Sequence, residues 1–306
     1  MEIDPLSLFD QIVQALVELF AEYNITKSNL LSLGISTHRN SFLLWDRVTG
    51  NPYSNIICWN DKRSKKTAED LNRSLFIRSI KTVVRAINTI WSPGRLQLLK
   101  DFKFKPIHKI SKEKLKNSLF GTLETWIVWK LTRGKFHITD LSSVSTTSMY
   151  DISTNTWNYD LLLYFGIPFS ILPRIVKTHG QILAVVNSKY FGFELNITAL
   201  IADQQAASVG CRCIESGDTK LTLGSGTFID ITTGPVFNAS LKHNCYPVVG
   251  WADKKKFCYI YEGNSSDTGV KILTFLKTEG LDINQPEILS KLIDDLPTNS
   301  EEYNFL

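Results

Sequence analysis

The sequence predicts an α/β fold in two parts, on three observations. An apolar run, Ala199-Leu200-Ile201-Ala202, reads as a buried strand that stops at Asp203 and passes into small residues able to open a helix. Well upstream, Leu30 to Ile35 reads as another strand ending in a polar cluster, Ser36-Thr37-His38-Arg39-Asn40-Ser41. Open α/β sheets take their ligands beyond the carboxyl ends of such strands. Downstream, Thr219 to Leu223 and Thr227 to Thr232 are strand-like runs joined by Gly224-Ser225-Gly226. That is a hairpin turn whose bare backbone N–H groups can cradle an anion such as a phosphate.

Taken in order, the chain opens with a helix and nothing before it. Asp4 is placed as N-cap and Pro5 as first helical residue, and Phe9, Ile12, Val13, Leu16 and Phe20 recur at spacings of three and four up to about Asn24. Phe42 to Trp45 and Asn55 to Trp59 follow the first strand as two more, the latter running into Asn60-Asp61-Lys62-Arg63. The polar ends of these strands are expected at one edge of a single sheet. Thr67 to Phe104 reads as helical. Phe120 to Leu131 reads as one helix, followed by helices and turns as far as Pro173, and Pro173 to Phe193 as an extended excursion. Tyr246 to Trp251 and Lys256 to Tyr261 form a meander pair, and Val270 to Leu276 starts a helix after a polar segment that could cap it or meet a phosphate.

Composition excludes several function classes. With 306 residues, 43% of them hydrophobic, the chain can build a sizeable core, and its length favours two domains. Its 34 basic and 30 acidic residues leave +4, too mild a balance to argue for nucleic acid. The seven lysines between Lys100 and Lys116 are read as a solvated face rather than an RNA patch. Five scattered cysteines without a C-x-x-C pair fit reduced thiols in a cytoplasmic protein. The N-terminus has no basic or apolar leader, and the most apolar window, Leu161 to Val176, is broken by Gly166, Pro168 and Pro173 and is too short for a bilayer. P-loop, dinucleotide, G-x-S-x-G and H-E-x-x-H patterns are all absent.

Asp203, at a strand end and a helix start, can accept a proton, although an ordinary N-cap has the same signature. Arg39 offers a fork of donors and Trp59 a flat wall for the carbon side of a small polyol, although an Arg after a strand is more often a surface residue and a Trp more often a core one.

The segments A-D-Q-Q-A-A at Ala202 and L-G-S-G-T-F at Leu223 resemble the centre of the FGGY carbohydrate kinases, glycerol kinase branch. G-I-S-T-H-R at Gly34 and W-N-D-K-R at Trp59 resemble that branch's substrate side. F-G-T-L-E-T-W at Phe120, I-T-D at Ile138 and F-G-I-P at Phe165 fall in family order. The Y-P-V-V-G-W and D-T-G segments, at Tyr246 and Asp267, look most like a divergent group within the branch. The resemblance implies a ribonuclease H-like, actin-like ATPase fold with its second domain incomplete. Residues 1–211 would form the polyol-binding domain without its first strand hairpin, and residues 212–306 part of the nucleotide-binding domain. It implies ATP-dependent phosphorylation of glycerol or a related polyol, with Asp203 as general base and with the activity of this truncated chain expected to be impaired. Arg39, Asn40, Trp59, Asp203, Gln204 and Phe228 would contact the polyol, and Gly224, Ser225 and Gly269 the nucleotide phosphates. Asn40 stands where the family has a Glu, and Ser225 where a Thr is usual. Around Ile90 and Arg95 the match is poor. The family's phosphate loop, whose Asp serves Mg²⁺, and its Gly-rich adenosine site have no counterpart, so the chain is expected to be truncated at both ends. An inactive kinase-like binding or regulatory protein is the alternative. Small-molecule polyol and ATP are the expected partners, with homo-oligomers left open.

Overall fold

The computed structural model describes residues 1–61, 111–147, 149–224, 226–237, 245–265, 274 and 278. The expected helix over residues 67–104, the poorly matching stretch around residues 90–95, and most of the lysine-rich segment and of the 270–276 helix lie outside them.

The first helix, α1 (Pro5–Glu22), starts as its cap residues dictate: the Asp4 carboxylate accepts from the N–H groups of Leu6 and Ser7 at 2.9 and 2.8 Å. A short strand, β1 (Glu2–Ile3), precedes it, contrary to expectation, because its two residues pair antiparallel with β4 (Ile56–Ile57). β2 (Leu33–Thr37) is followed by β3 (Phe42–Asp46), and the two part company between them. Asn40 there takes a left-handed conformation, φ 62°, which Asn tolerates better than most residues. β3 enters a four-stranded sheet of order β1-β4-β3-β5, with β5 at Ser118–Thr122. β2 instead joins a sheet of order β10-β11-β2, formed with β10 (Ala184–Val186) and β11 (Leu195–Ala202). The polar ends of β2 and β4 therefore belong to different sheets, not to one edge.

The helix expected from Phe120 begins only at Leu123. Ser118 to Thr122 are all buried and pair in register with Phe42 to Asp46, so sheet pairing overrides the helical reading. Gly121 lets this happen: a Cβ there would lie 2.7 Å from the Trp45 ring. α2 (Lys112–Lys116) precedes the strand, and α3 (Leu123–Leu131) follows, buried on nearly every side. Trp45, Trp126 and Trp129 form its aromatic centre, with Trp126 and Trp129 stacked at 5.9 Å. A second apolar cluster gathers Phe42, Leu44, Phe120, Met149, Leu162 and Phe165.

The block first read as helices and turns contains more strand than expected. β6 (Ile138–Asp140) pairs in parallel with β9 (Arg174–Val176), and β7 (Tyr150–Asp151) with β8 (Thr156–Trp157) in a hairpin. Between them lie the short helices α4 (Leu141–Val144) and α5 (Tyr159–Tyr164). After β11 comes α6 (Asp203–Gly210), then a sheet of order β12-β13-β15-β14. Its strands are β12 (Thr219–Leu223), β13 (Thr227–Gly234), β14 (Tyr246–Ala252) and β15 (Phe257–Ser265), close to the ranges expected from the sequence. The chain divides into one unit of Met1–Lys220 with Asp230–Gly263 and another of Leu221–Ile229 with Asn264–Leu306. Among the described residues no helix is long and apolar enough to cross a membrane.

Candidate functional site

The parallel pairing of β11 with β2 sets the site. Ala202 lies opposite Thr37, so the residues that follow each strand emerge together at their carboxyl ends. Asp203 and Arg39 meet there, with Arg39 Nε 4.0 Å from Asp203 Oδ1. Asp203 is not an N-cap: Ala202 holds that position, and Asp203 is the first residue of α6. Its Oδ1 accepts from the Gln204 N–H at 2.8 Å, and its side chain is 43% exposed. Oδ2 has no hydrogen-bond partner among the described residues and is the oxygen open to a ligand.

Arg39 itself is buried. Its guanidinium grips Glu262 on β15 through both terminal nitrogens, at 2.5 and 3.1 Å, and the Tyr246 hydroxyl donates to the same carboxylate. Burial alone would push the Glu262 carboxyl up, but the Arg39 charge and the donated bonds hold it below the ordinary carboxylate value. A second buried pair touches Gln204 and lies close enough to the first for Asp230 to feel the charges of Glu262 and Arg39. Lys220 Nζ is 2.7 Å from Asp230 Oδ2 and donates to Gln204 Oε1 at 2.9 Å. Burial, then the charge of Glu262, push Asp230 up to about 6 against the pull of Lys220. Two neighbouring buried cation–carboxylate pairs thus reach the Asp203-Gln204 dipeptide, Arg39 at Asp203 and Lys220 at Gln204.

Further back, the end of β11 is pinned by hydroxyls. Ser142 Oγ accepts the Ala202 N–H at 2.9 Å while donating to the buried Asp140, which also accepts from Thr178. Ser145 Oγ accepts from Val249 N at 3.0 Å on β14. Burial raises the Asp140 carboxyl. Asp140, Ser142 and Ser145 therefore hold backbone in place, while Thr139 bonds the buried Glu124 side chain and Thr146 that of Asn40.

The remaining expected residues divide. The Asn40 amide oxygen accepts from Thr146 Oγ1 at 3.2 Å, so part of its capacity is used within the protein. Trp59 is 38% exposed and hung by its N–H on Ser41 Oγ at 3.0 Å. Gly224 and Phe228 belong to the second unit, and Ser225 and Gly269 lie outside the described residues. The glycine turn is less bare than expected, because Gly224 N–H donates to Gly226 O at 3.1 Å inside the turn. Gly224 is nonetheless exposed, and a Cβ on it would meet nothing nearer than that oxygen at 3.8 Å. Among the described residues no group of three or more His, Cys, Asp or Glu could hold a metal ion.

Sequence reading missed Glu262, Tyr246, Lys220 and Asp230. Strand parity carries the signal for two of them. Glu262 continues the face of Ile260, and Asp230 that of Thr232, so each charge falls on a buried face where only a paired group is tolerated.

Comparison with known proteins identifies the family and the fold. The FGGY family of carbohydrate kinases, N-terminal domain, matches residues 1–210. The chain is 33% identical over 290 residues to glycerol kinase 5 of Mus musculus, covering 89% of this chain and 53% of that one. It is 32% identical over 275 residues to a glycerol kinase of Petrotoga mobilis, covering 89% and 54%. The fold matches a crystal structure of Plasmodium falciparum glycerol kinase with ADP, with a TM-score of 0.79 at 24% identity, over 96% of this chain and 58% of that one. The chain spans about half the length of the curated relatives it matches.

Proposed function

Because this chain belongs to the FGGY family of carbohydrate kinases, we propose that it carries the polyol side of an ATP-dependent polyol kinase, converting glycerol or a related polyol to its phosphate. The observation that carries the reading is the solvent-facing Asp203 carboxylate, held at the carboxyl ends of two parallel strands against a buried Arg39–Glu262 pair. A polyol hydroxyl hydrogen-bonded to Asp203 Oδ2 gives up its proton there as its oxygen attacks phosphorus. ATP supplies the phosphoryl group. Gln204 and Arg39 orient the hydroxyls, Asn40 offers the rest of its amide, and Trp59 supplies an apolar wall; Phe228, in the second unit, is assigned to the polyol by the family resemblance alone. Gly224, Ser225 and Gly269 are assigned to the phosphates, supported by the open face of Gly224. The described residues do not form a site for Mg²⁺, and no step is assigned to it.

In this reading residues 1–211 are the polyol domain, supported by a family match that ends at residue 210, and residues 212–306 contribute to the nucleotide domain. A cytoplasmic location is supported by the odd number and scattered spacing of the cysteines, which include no C-x-x-C pair. The second reading, an inactive kinase-like binding or regulatory protein, is favoured by one observation: Asn40, where the family resemblance implies a Glu, is an amide already bonded to Thr146. Incubation of the full chain with γ-labelled ATP, with and without glycerol, separates the two. Polyol-dependent label in a polyol phosphate supports the first; glycerol binding without transfer supports the second.

A further inference from the structure

An amide in a polyol site has two faces, and which one meets the ligand decides what the ligand must offer. In Gln204 the choice is made by a neighbour. Lys220 is only 6% exposed, on β12, and its ammonium donates to Gln204 Oε1 at 2.9 Å while lying 2.7 Å from Asp230 Oδ2. An ammonium has three donors and no acceptor, so the amide cannot turn its NH₂ group towards it. The oxygen end of Gln204 is therefore fixed at Lys220 and the nitrogen end turned the other way. We infer that Lys220 is a positioning residue that sets the hydrogen-bond polarity of Gln204, so that the Asp203-Gln204 dipeptide presents one acceptor and one donor side by side. The inference rests on the polyol reading of Asp203 and Gln204.

The chemistry matches an alcohol. A hydroxyl has one proton to donate and two lone pairs to accept with. Where its proton goes to Asp203, its other bond must come from a donor, and a Gln204 held oxygen-inward supplies one. A Gln204 turned the other way would set two acceptors against a single proton. Asp230 keeps Lys220 in place rather than touching the ligand: as the buried counter-charge 2.7 Å away, it offsets the cost of desolvating the ammonium.

The test uses the full chain and glycerol as probe, with binding read by saturation-transfer NMR and folding by thermal melting. Lys220→Met, and Lys220→Met with Asp230→Asn to remove both buried charges, are expected to weaken glycerol binding about tenfold while the double variant melts near the wild type. Gln204→Glu, which keeps the Lys220 contact but loses the donor, is expected to weaken binding as much. Adding Lys220→Met to it should cost little more, a non-additivity that a merely structural role of Lys220 would not produce. Additive losses, or a folded double variant that binds glycerol like the wild type, would overturn the inference. The Gln204 side-chain amide resonances, identified by their loss in Gln204→Ala, give a readout that needs no ligand. Their displacement in the Lys220 variants supports the contact, and unchanged resonances refute it. A wild-type chain that binds no polyol would instead sink the polyol reading, leaving those resonances to decide the Lys220 contact.

Discussion

Replacing Glu262 by alanine strips the acceptors from two Arg39 N–H groups and from the Tyr246 hydroxyl at once. The side chains of Arg39 and Glu262 are 8% and 1% exposed, so water cannot stand in for the lost carboxylate without opening the structure. Breaking a buried pair by removing one partner costs about 3–5 kcal/mol. For a unit of this size each kcal/mol moves the melting midpoint by about 2–4 °C, so Glu262→Ala should lower it by roughly 10 °C. The double variant Arg39→Met, Glu262→Leu removes the stranded charge and should recover most of that loss, since apolar replacements of buried pairs are often neutral. The pH dependence has a definite sign. Glu262 is held below its ordinary value of 4.5, so its stabilisation is complete above that pH and is lost as pH falls through the depressed value. Circular dichroism melts at neutral pH of wild type, Arg39→Met, Glu262→Leu and their double variant close a cycle that measures the coupling, with Glu262→Ala melted beside them. A midpoint for Glu262→Ala within about 2 °C of wild type, or a double variant as unstable as the sum of the singles, would refute the account of Arg39 as a buried, Glu262-dependent group.

Other predictions are independent of the site. His137 donates through Nε2 to Phe120 O at 2.8 Å, and burial lowers it to about 4 from 6.5, so the unfolded chain binds a proton that the folded one refuses between those values. Stability should therefore fall by about 2 kcal/mol between pH 7 and pH 5, and urea midpoints should show that His137→Gln removes this slope. Gly50 has φ 72°, and a Cβ there would lie 2.4 Å from the Trp129 ring, so Gly50→Ala should cost about 2–4 kcal/mol from strain and crowding together. Gly166 has φ 65° with nothing within 4 Å, so Gly166→Ala should cost only about 1–2 kcal/mol for its backbone, measured in the same melts.

Much of the fold was legible because local signals and pairing agreed. Asp4-Pro5 and the apolar run into Asp203 carry their own start and stop residues and formed, the run as the end of a longer strand from Leu195, and the two strands on either side of Gly224 lie close to their expected ranges. The misreadings came where long-range pairing outweighed local pattern. Ser118 to Thr122 have no alternation because both faces are buried, and Glu2–Ile3 is a strand only because Ile56–Ile57 lies beside it. The site was half legible for the same reason. Arg39 and the Asp203-Gln204 dipeptide stand out at strand ends, but the partner of Arg39, Glu262, is 223 residues away and that of Gln204, Lys220, is 16. Pairings of that reach leave no trace in spacing.

The central claim is that Asp203 takes the proton of a polyol hydroxyl. Its most direct test is the transfer of labelled γ-phosphate from ATP to glycerol by the full chain, wild type against Asp203→Asn, with folding and glycerol binding checked in both. The account predicts a labelled polyol phosphate from the wild type and a loss of about 10²–10⁴-fold in the variant, with the fold intact. Equal transfer by Asp203→Asn would contradict it.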